Sequence, residues 1–185
     1  MKNIMTWFPV MAVGLLLAIF AIALLRPSEG GGDPIIGQRV SDLDLPLEAV
    51  SFAETGYDPQ TVEGPYLLNV WASRCPPCRI EHPYLEFMSD QGVPIYGIVY
   101  KDDEADTAQF LNQLGDPFTG LAADPEGRAG FELGVTGPPE TFIVDADGII
   151  RARWRGAVTD IVWIQRMAGP WAAAGGQPID WSAAE

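Results

Sequence analysis

The sequence predicts an α/β domain, a mixed central sheet flanked by helices with an inserted helical segment, behind an N-terminal apolar helix. Three observations predict it. The apolar run Tyr66-Leu67-Leu68-Asn69-Val70 leads into Cys75-Pro76-Pro77-Cys78 and then into a helix-forming stretch. A second continuous apolar run, residues 94–100, reads as a strand covered on both faces, as in a parallel sheet. Two further strand-like runs, residues 141–145 and 148–154, flank Asp147-Gly148, a strong short-range hairpin signal.

Taken in order, residues 3–25 carry no charge and are mostly Ile, Leu, Val, Ala, Phe and Met. That length suffices for a helix to cross a hydrocarbon core of about 30 Å. A cleaved signal peptide would have an apolar region of only about 7–15 residues. Here Leu24 and Leu25 continue the run past Ala21-Ile22-Ala23, so residues 1–26 read as an uncleaved signal anchor. Lys2 before the span gives slight support for a cytoplasmic N-terminus. Residues 27–34, with Gly30-Gly31-Gly32, read as a flexible tether, and the domain proper is expected over residues 35–168.

Residues 35–63 are loop-rich, with room for a few short strands. The strand at 66–72 is followed by a helix from Cys75 to about Gln91, in which Pro83 predicts a kink. Residues 103–114 form a helix that turns Phe110, Leu111 and Leu114 to one side, capped by Asp102 or Asp103. A short strand at 118–123, a helix at 125–133, the hairpin and an amphipathic helix at 158–167 complete the domain. Residues 169–185, rich in Gly, Ala and Pro, are expected to be poorly ordered. The order β-α-β-α, an antiparallel hairpin and a closing helix is that of a thioredoxin fold.

The two cysteines are the only ones in the chain. A C-x-x-C between a strand and a helix is the layout of a redox site whose chemistry is thiol–disulfide exchange. Cys75 at an exposed helix N-terminus would have its thiolate favoured by unpaired N–H groups and the helix dipole, with Arg74 and Arg79 nearby. It is therefore the expected nucleophile, and Cys78, nearly one turn on, the resolving thiol. Pro76 and Pro77 suit a first helical turn, where N–H donors have no intrahelical acceptor. A structural disulfide would close too short a loop to stabilise much. A closed zinc site needs four ligands, more than two Cys and one His supply. Copper carriage by Cys75, Cys78 and His82 stays open as an alternative, although His82 reads first as a surface or supporting residue of the helix. So does a general periplasmic thiol oxidant. A lone C-x-x-C on a tethered domain fits an oxidising compartment such as a bacterial periplasm. The net charge of −14 argues against nucleic acid as a partner.

Three stretches carry a specific resemblance: residues 69–83 with W-A-S-R-C-P-P-C-R-I-E-H-P, residues 93–103, and Gly134-Val135-Thr136-Gly137-Pro138-Pro139-Glu140-Thr141-Phe142. They resemble the DsbE/CcmG family, membrane-tethered thioredoxin-like proteins of cytochrome c biogenesis. The resemblance implies a single-pass inner-membrane protein with its catalytic domain in the periplasm. It would keep the cysteines of apocytochrome c, or of a haem-ligation partner, reduced, and be re-reduced by a membrane conduit of the DsbD or CcdA kind. No dissociable cofactor or metal is implied beyond the redox-active Cys75–Cys78 pair, and a monomer is expected. By the same resemblance Pro139 is a cis-proline facing the dithiol, and Glu81 and Glu140 are acids near the site, with Asp124 a possible third. Trp71, Arg74, Pro76, Pro77, Pro138 and Pro139 would form the substrate-binding surface. Two positions depart from the family: Arg74 stands where Trp is general, and Val99 where Asn is more frequent. Thioredoxins also place a buried acid six residues before the first cysteine. Here that residue is Asn69, which leaves Glu81 as the candidate proton buffer.

Overall fold

The computed structural model describes residues 11–16 and 32–183. Residues 11–16 are helical and exposed, and among the described residues no helix is long and apolar enough to cross a membrane. The expected anchor therefore lies largely outside the described residues, as does most of the tether.

Six strands form one mixed sheet. They are β1 (Glu48–Ala49), β2 (Tyr66–Trp71), β3 (Ile95–Tyr100), β4 (Gly120–Asp124), β5 (Glu140–Val144) and β6 (Ile150–Arg155), in the spatial order β1-β4-β3-β2-β5-β6. The pairs β2–β3 and β3–β4 are parallel; β1–β4, β2–β5 and β5–β6 are antiparallel. This is the thioredoxin-like α/β arrangement. All six residues of β2 are buried, which is why its sequence reads as an apolar run, interrupted by Asn69 alone, rather than an alternation. Alternate side chains still go to different faces. Tyr66, Leu68 and Val70 join Ile98, Phe142 and Val144 in one core, while Leu67 packs with Leu85, Met88 and Trp163 in another.

The helix α1 (Pro76–Asp90) buries Cys78, Glu81, His82, Leu85 and Met88, a stripe at helical spacing facing the sheet. Pro83 lies inside this helix, which runs through it to Asp90. The helix α2 (Glu104–Leu114) is capped by Asp103, whose carboxylate accepts the Ala105 N–H at 2.9 Å. The helix α3 (Arg128–Glu132) is shorter than its sequence suggested. The β5–β6 hairpin closes on Gly148 at φ +76°, a conformation that favours glycine.

The C-terminal region corrects the sequence-based expectation. Helical structure continues from α4 (Asp160–Val162) through a π-turn (Trp163–Met167) into α5 (Ala168–Ala173). Trp163, Met167 and Trp171, four residues apart, are all buried in the second core. Beyond α5, Trp181 stacks on Phe87 of α1 with ring centres 5.0 Å apart. The Gln91 side chain accepts the Asp180 N–H at 2.8 Å and donates to its carbonyl at 3.1 Å. Residues 169–183 thus form a packed strap on α1. Their Gly, Ala and Pro content obscured two tryptophans that need burial.

Candidate active site

Cys75 is the N-cap of α1 and is disulfide-bonded to Cys78, with Cα atoms 5.3 Å apart. Its Sγ accepts the Cys78 backbone N–H at 3.2 Å, a donor in the first helical turn that is shared with the Cys75 carbonyl oxygen at 3.1 Å. Cys75 is 8% exposed and Cys78 2%, so an incoming disulfide meets Cys75 first and Cys78 resolves from beneath. The Pro138–Pro139 bond is cis, and the Pro138 carbonyl oxygen lies 3.4 Å from Cys75 Sγ. The loop opposite the helix therefore presents a backbone acceptor at the reacting sulfur.

One turn further along α1, Glu81 is 1% exposed. Its carboxylate accepts the Val158 N–H and the Asn69 side-chain amide, each at 3.0 Å, and Asn69 also donates to Thr141 Oγ1 at 2.9 Å. Burial dominates: the Glu81 pKa is pushed up from 4.5 to about 7, the two hydrogen bonds offsetting only part of that cost. The strand residue Asn69 holds this acid in place instead of carrying a charge itself.

An acid that can be protonated near neutral pH, a nucleophilic sulfur at a helix start that is the more exposed of the two and a more deeply buried partner sulfur form a thiol–disulfide exchange site. The Redoxin family model matches residues 42–161 of the chain. The thiol:disulfide interchange protein DsbE of Vibrio cholerae is 40% identical over 177 residues, covering 91% of this chain and 94% of that protein. The Yersinia pestis protein of the same name is 36% identical over 170 residues, covering 89% and 90%. The chain belongs to the DsbE family. A solved thiol:disulfide interchange protein from Chlorobium tepidum shares the fold, with a TM-score of 0.59 at 24% identity over 76% of this chain and 98% of that one. As a DsbE-family member this protein is a thiol:disulfide oxidoreductase of thioredoxin-like fold.

The other DsbE-family positions fall into two groups. Glu140 follows Pro139 on β5 and is fully buried. It accepts the Thr136 N–H and hydroxyl at 2.7 Å each and the Arg153 Nε–H at 2.6 Å. It anchors the turn that carries Pro138 to the sulfur. Asp124 accepts the Ala129 and Gly130 N–H groups at 3.2 and 2.8 Å and so secures the start of α3. Pro76 and Pro77 are exposed at the helix start, beside the cysteine, where a substrate can reach them.

One expectation is corrected, and another is narrowed to one of its two readings. Trp71 is 1% exposed, packed 5.2 Å from both Phe110 and Phe118, and offers substrate no surface; it supports the dithiol from below. His82 is buried rather than at the surface. Its Nε2 lies 3.0 Å from the Gly115 carbonyl oxygen, its ring is edge-on to Phe110, and burial pushes its pKa down. Among the described residues no group of three or more His, Cys, Asp or Glu is placed to hold a metal ion.

Asp102 was read in the sequence only as a possible helix cap. Its carboxylate instead accepts the Ser73 N–H, the Asp103 N–H at 3.0 Å and the Arg74 guanidinium at 3.2 Å, tying the loop after β3 to the turn before Cys75. Ser73 and Arg74 lie 29 and 28 residues from Asp102 in the chain, and no local pattern links them to it.

Proposed function

We propose that this protein is a membrane-tethered reductant on the periplasmic side of a bacterial inner membrane, which returns the disulfide of apocytochrome c, or of a haem-ligation partner, to the dithiol during cytochrome c maturation. The observation that carries the reading is Glu81, a buried carboxyl one turn behind Cys78 with a pKa near 7. A nearby carboxyl that ionises opposes thiolate formation, whereas a strong oxidant needs a stabilised thiolate.

The exchange balances as follows. The Cys75 thiolate attacks one sulfur of the substrate disulfide, forming a Cys75–substrate bond and releasing the other substrate sulfur as a thiolate that takes a proton. Cys78, deprotonated, attacks Cys75 Sγ, forming the Cys75–Cys78 disulfide and releasing the second substrate thiolate, which is protonated in turn. Two electrons pass to the substrate. Glu81, one turn from Cys78 along α1, would take the proton that Cys78 gives up. A DsbD- or CcdA-type membrane protein would supply electrons to reopen the disulfide.

Cys78→Ser tests the reading. Without the resolving thiol, the Cys75 mixed disulfide accumulates and is captured with the full-length chain. Apocytochrome c or a haem-ligation protein in that adduct is the expected result. Recovery of only unrelated secreted proteins would overturn the assignment.

A further inference from the structure

Arg74 immediately precedes the nucleophile, and an arginine there should favour the Cys75 thiolate and make the pair more oxidising. The structure directs that charge elsewhere. Arg74 Nη1 meets Asp102 Oδ1 at 3.2 Å, and Nη2 donates to the Lys101 carbonyl, so both ends of the guanidinium are turned to the loop after β3. The other oxygen of Asp102 accepts the Ser73 N–H. The Asp102 side chain is 1% exposed, while that of Arg74 is 62% exposed. A nearly buried carboxylate therefore holds a solvent-facing cation by one end and the backbone of the catalytic turn by the other.

We propose that Asp102 is the counter-ion that withholds the Arg74 charge from Cys75, a positioning residue that keeps the dithiol reducing although an arginine stands next to the nucleophile. The inference depends on thiol–disulfide exchange at Cys75, which belongs to the family, and not on which protein is the substrate. Other charged residues lie on the neighbouring elements, each with contacts of its own. Arg79 and Glu81 lie on α1, and Arg79 sits over the Phe110 ring, 4.8 Å from its centre. Glu140 on β5 is already neutralised by Arg153. Of the cations beside the dithiol, Arg74 is the one adjacent to the nucleophile in the chain and held by a nearly buried carboxylate.

The proposal predicts shifts of opposite sign for the two partners, which a purely structural clamp would not give. Asp102→Asn keeps an acceptor for Ser73 but frees the guanidinium. Arg74→Gln leaves the Asp102 carboxylate without its cation. The reduced full-length protein is titrated by thiolate absorbance, and its reduction potential is measured against a thiol buffer. Asp102→Asn should lower the Cys75 thiolate pKa by roughly half a unit, the usual effect of a nearby cation discounted for solvent exposure, and move the potential toward oxidising. Arg74→Gln should move both in the opposite direction, and the double variant should return close to the parent. Equal shifts of the same sign in the two single variants, or no shift in either, would overturn the proposal. Loss of exchange in the trapping assay with these opposite shifts intact would instead count against the substrate assignment alone.

Discussion

Glu81 is where burial and protonation meet at a single residue. Its pKa lies above that of the unfolded chain, so between about pH 4.5 and 7 the native protein binds a proton that the unfolded protein releases. Stability therefore falls as pH rises through this window, by about 3 kcal/mol from this group alone. His82 acts in the opposite sense, because its depressed pKa means the unfolded state binds the extra proton as pH falls below 6.5. The two are separated by comparing variants. Urea unfolding of Glu81→Gln should show a gain over the parent that is larger at pH 8 than at pH 5, since an amide keeps an acceptor for Val158 without ionising. An equal difference at both pH values would mean that the carboxyl is ionised throughout and does not serve as a proton store.

At the scale of elements, the strap over residues 169–183 is the part of the fold that composition conceals. Trp171 is 3% exposed in the second core, and Trp181 covers Phe87 on the active-site helix. Trp171→Ala should cost about 3–5 kcal/mol, the usual range for emptying a large aromatic site. Trp181→Ala, half-buried, should cost about 1–2 kcal/mol through lost stacking. Denaturant titration of both variants checks this; no change in either would mean that the segment does not pack. The contrast explains what the sequence could reveal. β2, the Cys75–Cys78 turn, α1 and the Asp147-Gly148 hairpin follow from local patterns, because each is specified by residues within one element or its turn. Glu81 and Pro139 were legible only through resemblance to a family. The role of Asp102, the pairing of Glu140 with Arg153 and the two-residue β1 depend on partners far apart in sequence, which no periodicity encodes. The π-turn at 163–167 was also invisible, since it alters helical phase without changing composition.

For the molecule as a whole, redox chemistry and folding are two sides of one cycle. The difference in stability between the disulfide and dithiol forms equals the difference in reduction potential of the pair between folded and unfolded chain, about 1.4 kcal/mol for each 30 mV. The fold bears on that difference through burial. Both sulfurs are buried, and the neutral disulfide loses nothing by this, while a thiolate held there loses hydration. The ionisable Glu81 behind Cys78 adds to the cost of a negative sulfur, and the Asp102–Arg74 pair keeps a compensating cation directed away. Helix-start donation to Cys75 Sγ favours the thiolate but is already engaged with the disulfide form. Loop closure contributes little to either side, because only two residues lie between the cysteines. Burial and charge thus act together, and the oxidised protein should resist urea better than the protein reduced with dithiothreitol at the same pH. Paired unfolding curves measure this directly. A reduced form more stable than the oxidised one would mark the dithiol as an oxidant and reverse the direction of electron flow assigned to it.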